Sequence, residues 1–271
     1  MTFTLGPALL FCPADRPERY AKAAERADAV ILDLEDSVAP GDKAAAREAL
    51  VAHPLDPATT IVRVNAEATD DFALDLATLA ATDYHTVMLP KATTAGALLG
   101  YDVIVLCETA AGVLAAPALA ATLNVVALMW GAEDLVASLG GSESRFRDGH
   151  YRAVALHARS SVLIAAGANG KAAIDAVHLT IADTTGLAAE ARDAVASGFT
   201  ATACIHPSQV ATIREAYAPA DEQIEYANAV LAAAEGQRGV FAFRGGMVDE
   251  PVLANARHVV ARAAMRSKGT R

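Results

Sequence analysis

Short apolar runs recur along the chain, most closed by a polar or charged residue: 8–12, 29–34, 60–65, 86–91, 103–107, 127–130, 173–179 and 201–207. A continuous apolar run bounded by turn signals predicts a strand buried on both faces. Helical patterns cover 18–26, 42–50, 71–80, an Ala/Leu-rich stretch opened by Ala110-Ala111-Gly112, 151–166 and 187–197. Eight strand-like runs alternating with helices predict an α/β fold, a TIM-type (β/α)8 barrel, over an open sheet. No short-period repeat suggests a solenoid. Beyond the barrel come a helix at 221–234, an apolar run at 239–243, a turn at 244–251 and a final helix at 252–265. No Pro/Ser-rich linker intervenes, so the chain reads as one domain, a barrel at 1–210 with a C-terminal helical extension at 211–271.

The 271 residues lie near the ~250 of such barrels. A chain that is 54% hydrophobic and 20% charged is globular, without the signature of disorder. The net charge of -10 gives no support to nucleic-acid binding by a basic face, and an anionic ligand would need a local Arg/Lys pocket. Cys12, Cys107 and Cys204 are scattered in apolar runs without metal-ligand spacing, which points to buried, reduced thiols in a cytosolic protein. There is no secretory leader pattern and no run long enough to cross a membrane. The expectation is a cytoplasmic protein with no membrane partner.

Every proposed strand tip is polar: Asp15/Arg16, Glu35/Asp36, Arg63/Asn65, Lys91, Glu108, Glu133/Asp134, Asp175/His178 and His206. In a parallel barrel these tips share the face that carries chemistry. Glu108 and the Glu133/Asp134 pair end consecutive strands; two carboxylates meeting there suit a hard cation such as Mg2+, though acids after strands also cap helices or face water. Arg63 sits inside an apolar strand, and an unpaired buried Arg costs several kcal/mol. It therefore has a partner, either a neighbouring carboxylate or an anionic substrate. Asp33, Glu35 and Asp36 offer a general base, a positioning group and a structural partner for Lys43 or Arg47. Lys91 is read as pairing with Glu35 in preference to binding substrate. His206 reads as a hydrogen-bonded core group, His178 as structural, and His53, His85, His150, His157 and His258 as surface residues. Asp249, in Gly-Gly-Met-Val-Asp-Glu-Pro, reads as part of a turn. The absence of GxGxxG, GxxxxGK[ST], GxSxG and HExxH removes support for Rossmann redox chemistry, nucleotide hydrolysis, α/β-hydrolase chemistry and zincin proteolysis.

Eight ordered motifs spanning nearly the whole chain carry a resemblance: Phe-Cys-Pro-Ala-Asp-Arg-Pro (11–17), Leu-Asp-Leu-Glu-Asp-Ser-Val (32–38), Val-Arg-Val-Asn (62–65), Leu-Pro-Lys (89–91), Glu-Thr (108–109), Gly-Ala-Glu-Asp-Leu (131–135), Ile-His-Pro-Ser-Gln (205–209) and Met-Val-Asp-Glu-Pro (247–251). The chain resembles the citrate lyase beta subunit-like (CitE-like) proteins of the HpcH/HpaI aldolase superfamily, nearest the free-standing actinobacterial type. The resemblance implies a (β/α)8 barrel, commonly a homotrimer, that cleaves or forms a carbon–carbon bond in 3-hydroxyacyl thioesters of malyl-CoA or citramalyl-CoA type, yielding an acyl-CoA and a keto acid. It implies Glu108 and Asp134 as Mg2+ ligands, and Arg63 as the cation for developing enolate or carboxylate charge. Glu35 and Asp36 would help position the site. Arg16, Lys91, Ile205, His206 and Pro207 would contact coenzyme A, and Asp249 would act as proton donor or base in a neighbouring subunit. Gly246 departs from the pattern, since relatives often carry Lys there. The alternatives are a citryl-type lyase subunit using an acyl-carrier-protein thioester, an acyl-CoA thioesterase, and a catalytically silent CoA-binding protein.

Overall fold

Eight parallel strands, β1 (Ala8–Pro13), β2 (Ala29–Asp33), β3 (Thr60–Arg63), β4 (Thr86–Leu89), β5 (Asp102–Cys107), β6 (Val125–Trp130), β7 (Ala172–Asp175) and β8 (Ala201–Cys204), close into a barrel in sequence order, with β1 pairing β8. The structure is a computed structural model and describes residues 3–237 and 239–268. The chain divides into two compact units, Met1–Ile213 and Arg214–Arg271.

The apolar runs become strands because both of their faces are covered. Leu9, Ile31, Ile61, Met88, Ile104, Leu106, Met129, Ile174 and Ala203 form one central buried cluster. Their alternate neighbours, including Val30, Leu32, Val62, Leu89, Val105 and Leu128, are equally buried on the other face. Helices α1 (Tyr20–Arg26), α2 (Lys43–Ala52), α3 (Asp70–Leu79), α4 (Ala110–Ala120), α5 (Ala132–Ser138), α6 (Ala153–Ala168), α7 (Thr184–Ser197) and α8 (Gln209–Tyr217) fall between or after the strands.

The expected alternation breaks in one place. β4 and β5 are joined by a short 3-10 turn at Gly96–Leu98 and not by an α-helix, whereas both α5 and α6 follow β6. The runs at 173–179 and 201–207 also stop short as strands, at Asp175 and Cys204. The chain then leaves the barrel wall, and His178, Ile205, His206 and Pro207 lie on connections.

In the second unit, α9 (Asp221–Ala234) and α10 (Glu250–Lys268) accompany a hairpin of β9 (Phe241–Phe243) and β10 (Gly246–Val248). Ala227, Val230, Val248, Ala256 and Val259 form its core. Arg244 and Gly245 both take positive φ, 49° and 81°, as a two-residue hairpin turn of type I′ requires. Among the described residues no helix is long and apolar enough to cross a membrane.

Candidate active site

Side chains alternate across a strand, so the positions two residues beyond Ile31, Ile61, Leu106 and Met129 of the central cluster carry the next inward layer. Those positions are Asp33, Arg63, Glu108 and Gly131. An apolar barrel core thus gives way to charge at the C-terminal ends of β2, β3 and β5.

Asp33 and Arg63 are register partners on β2 and β3. Arg63 Nε donates to Asp33 Oδ1 at 2.7 Å and its terminal nitrogen to Oδ2 at 2.6 Å, the two-pronged geometry of a strong ion pair. Its other terminal nitrogen lies 2.9 Å from Glu35 Oε2, which carries charge contact without hydrogen-bond alignment. The Phe11 ring lies 4.9 Å from the guanidinium carbon. Burial opposes the charge on Arg63, but Asp33 above all, then Glu35 and Glu108, hold its pKa above the ordinary value. Burial likewise opposes ionisation of Asp33, and Arg63 outweighs it, helped by hydrogen bonds from Ser37 and Glu35; the carboxyl stays below its usual range. The question left open by the sequence is answered on the structural side: Arg63 is ion-paired within the chain. Asp33, one of the three acids whose roles the spacing could not sort, is its anchor.

Glu35 is 5% exposed, and burial pushes its pKa up despite Arg63 and Lys91. The Lys91 ammonium pairs with Glu35 and sits 3.2 Å from Asp36, the partner expected for it. Lys43 and Arg47 do not take these acids' side chains. Lys43 donates to the carbonyls of Leu34 and Glu35 and to Asn65 Oδ1. Arg47 pairs with Asp71 and Asp75. Both lie on α2, and they tie it to the β2 and β3 loops and to α3.

Glu108 follows β5 and is 3% exposed. Its Oε1 accepts the Lys91 N–H at 3.1 Å. The next residue, Thr109, caps α4 by accepting the Gly112 N–H at 3.0 Å. Gly112 is required there, because a Cβ would stand 2.8 Å from the Ala92 carbonyl. Gly131 opens the space that Glu108 fills: a Cβ at residue 131 would approach Glu108 Cβ to 2.9 Å and Oε2 to 3.0 Å. Burial first, then the charges of Asp134 and Glu35, push the Glu108 pKa up to about 8, against Arg63 and Lys91. Asp134 lies in the first turn of α5. Its neighbour Glu133 is engaged elsewhere, accepting from Ser144 Oγ at 2.5 Å. Among the described residues no cationic side chain forms an ion pair with Glu108 or Asp134, and no group of three or more metal-ligating residues occurs. A buried carboxylate destabilised by a second carboxylate fits a hard cation that takes the rest of its shell from water and substrate oxygens.

The remaining strand tips form a different assembly. Asp175 accepts from Trp130 Nε1 at 2.6 Å and from Arg159 Nε and Nη2. His178 Nδ1 lies 2.9 Å from Glu190, which also pairs with Arg145, so its structural reading fits. His206 is exposed, not a core group, and its Nδ1 meets Ser208 Oγ at 2.7 Å. The N–H groups of Ile205 and His206 both donate to Gln209 Oε1, which pins this loop, and Pro207 is half-buried within it. Arg16 is exposed beside Asp15 at 3.5 Å. Its loop follows β1, and β1 borders β8, from which the 205–207 loop leaves. Asp249, in the second unit, is half-buried before α10 and receives the Val252 N–H at 3.4 Å. The three cysteines are buried and unpaired with one another, and the five histidines expected at the surface are exposed.

The model of the HpcH/HpaI aldolase/citrate lyase family matches residues 8–100 and 99–207. A citrate lyase subunit beta-like protein of Mycobacterium tuberculosis strain H37Rv is 57% identical over 261 residues, covering 95% of this chain and 96% of that protein. The human mitochondrial citramalyl-CoA lyase is 30% identical over 290 residues, covering 93% and 84%. The crystal structure of CitE from Mycobacterium tuberculosis in complex with magnesium, acetoacetate and coenzyme A superposes with a TM-score of 0.90 at 57% identity, covering 96% of this chain and 98% of that one.

Proposed function

We propose, from the premise that the chain belongs to the HpcH/HpaI aldolase/citrate lyase family, that it is a Mg2+-dependent carbon–carbon lyase of a 3-hydroxyacyl-CoA of malyl-CoA or citramalyl-CoA type. The observation that carries this reading is Glu108, a buried carboxylate with a pKa pushed up to about 8 by burial and by Asp134 and Glu35. The names of the relatives, a citramalyl-CoA lyase among them, support the reaction class, and magnesium and coenzyme A bound by the M. tuberculosis protein support the ligands.

Glu108 and Asp134 would hold the cation. When bound, it would act as a Lewis acid and template for the carboxylate and adjoining oxygen of the keto-acid portion. In the cleavage direction the 3-hydroxyl proton leaves to a base and the C2–C3 bonding pair moves toward the thioester carbonyl. The keto acid departs, and protonation at C2 completes the acyl-CoA. Arg63 supplies fixed positive charge where negative charge develops; Asp33 and Glu35 hold it in place, so little reorganisation accompanies the step. Glu35 and Asp36, bridged by Lys91, shape the neighbouring wall. Asp249 is assigned to proton transfer in a neighbouring copy of a homotrimer. Arg16 and the Ile205–His206–Pro207 loop are the coenzyme A contacts.

The test is keto-acid release from malyl-CoA and citramalyl-CoA, with Mg2+ and with excess chelator, in wild type and Asp249→Ala. Mg2+-dependent release of glyoxylate or pyruvate, lost in the variant, is the expected result. Free coenzyme A without keto acid would replace the lyase by a thioesterase. Binding of coenzyme A without turnover would redirect the search to another acyl chain, a carrier-protein thioester or a silent binding role.

A further inference from the structure

The connection after β4 holds a residue in an unusual backbone state. Lys91 has φ 52°, the left-handed region that side-chain-bearing residues seldom enter and that clusters at functional sites when the surroundings enforce it. No α-helix follows β4 before β5 begins, only the 3-10 turn at Gly96–Leu98. The conformation has two consequences. The Lys91 N–H reaches Glu108 Oε1 at 3.1 Å, leaving Oε2 as the oxygen beside Gly131. The side chain meanwhile reaches the β2 loop, where the ammonium meets Glu35 and, at 3.2 Å, Asp36. One residue on β4's loop thus grips a carboxylate from β5 on its backbone side and two carboxylates from β2 on its side-chain side. The side chain is about two-thirds buried, with its cation committed to acids of this chain.

We propose that Lys91 is a positioning residue with two separable actions: its left-handed backbone aims Glu108 at the cation, and its ammonium fixes Glu35 against Arg63. Coenzyme A is not its partner. This rests on the assignment of Glu108 as a metal ligand made above. The backbone action belongs to the conformation and not to lysine chemistry, so it survives in any residue that tolerates positive φ. Glycine adopts this region freely, asparagine with several-fold enrichment, and a β-branched residue only as an outlier. The ammonium action has the reverse dependence: arginine is the conservative replacement, and every neutral residue loses it.

The experiment is a series, Lys91→Arg, Lys91→Gly, Lys91→Asn, Lys91→Met and Lys91→Val, read by Mg2+ titration calorimetry on the substrate-free protein and by kcat and KM for the acyl-CoA. Mg2+ affinity is expected to follow tolerance of positive φ: within about threefold of wild type for Gly and Asn, and weakened at least tenfold for Val. Turnover is expected to follow charge: kcat falls about a hundredfold in Gly, Asn and Met, with KM within threefold, and recovers at least tenfold in Arg. Equal Mg2+ affinity across Gly, Asn and Val overturns the backbone action. A raised KM at unchanged kcat overturns the ammonium action and returns Lys91 to coenzyme A binding. If wild type itself takes up no Mg2+, the metal assignment fails, separately from any ordering among variants. Thermal unfolding of the metal-free Val variant identifies global misfolding; Lys91→Asn against Lys91→Met then carries the same comparison.

Discussion

Among the described residues, the acids Asp33, Glu35, Asp36, Glu108 and Asp134 at the ends of β2, β5 and β6 are answered by two cations, Arg63 and Lys91, which ion-pair with Asp33, Glu35 and Asp36 and leave Glu108 and Asp134 without an ion pair. Around β6 and β7 the same residue types are fully occupied. Asp175 takes Trp130 and Arg159, Asp193 takes Arg159, and Glu190 takes Arg145 and His178. Arg145 also stacks on Tyr151 at 3.6 Å. The first cluster is left with surplus negative charge in a buried place, seen in the raised Glu108. In the second each of the three acids is ion-paired to an arginine, and Asp193 and Glu190 reach solvent. A saturated network stabilises a scaffold, whereas an unsatisfied one stores the affinity for a ligand that completes it. The position along the strand decides which cluster an acid joins. Glu108 continues the inward parity of Leu106, while Asp175 directly follows the inward Ile174 and so faces the other side.

The largest effect that would break this contrast is at Glu108. Glu108→Gln should abolish Mg2+ binding by calorimetry and lower keto-acid release about a thousandfold, several kcal/mol of transition-state stabilisation. The metal-free protein should melt higher near neutral pH, because folding no longer has to protonate a carboxylate that is ionised in the unfolded chain; normal Mg2+ binding would remove Glu108 from the site. Next comes Arg63→Met, which strands Asp33 and Glu35 and should cost ~3–5 kcal/mol in denaturant unfolding. An unchanged midpoint would mean that the Asp33–Arg63 pair is not the anchor described here.

Changing pH sharpens the comparison without a mutation. The folded Glu108 pKa, about 8, lies above its ordinary 4.5. Between those values the unfolded chain is ionised and the folded one is not, so this group makes the metal-free fold less stable as pH rises from 4.5 to 8. Mg2+ requires the carboxylate, so its apparent affinity should rise up to about tenfold per pH unit toward pH 8 and then level off. Asp33 works in the opposite sense. Its lowered pKa contributes stability above the ordinary 3.8 that is lost as pH falls through the folded value. Glu108→Gln should flatten the first slope and leave the second.

Gly131→Ala places a Cβ against Glu108. It should weaken Mg2+ about tenfold while costing ~1–3 kcal/mol of stability, the range of an overpacked site. Trp130→Phe probes the saturated cluster. Removing the Nε1–H donor to Asp175 should cost ~1 kcal/mol, since Arg159 still holds the carboxylate, with Mg2+ affinity unchanged. A loss of Mg2+ affinity there would dissolve the distinction between the two clusters.

The apolar runs of 4–7 residues and the polar residues at their ends were enough to predict the barrel and to nominate Glu108, the Glu133/Asp134 pair, Arg63 and Lys91, because a strand covered on both faces reads as a continuous apolar run and its C-terminal tip lies on the face that carries chemistry. Family membership was readable from the same motifs. The pairing was not: Arg63 joins Asp33 across 30 residues and Lys91 joins Glu35 across 56, and spacing alone cannot rank partners that far apart. Nor could it reveal the left-handed backbone at Lys91, the 3-10 turn in place of a helix after β4, or the room that Gly131 leaves for Glu108. These depend on which strands become neighbours and in what register. Local pattern sets which residues can be buried, and barrel closure decides which buried charges meet and which are left wanting a cation.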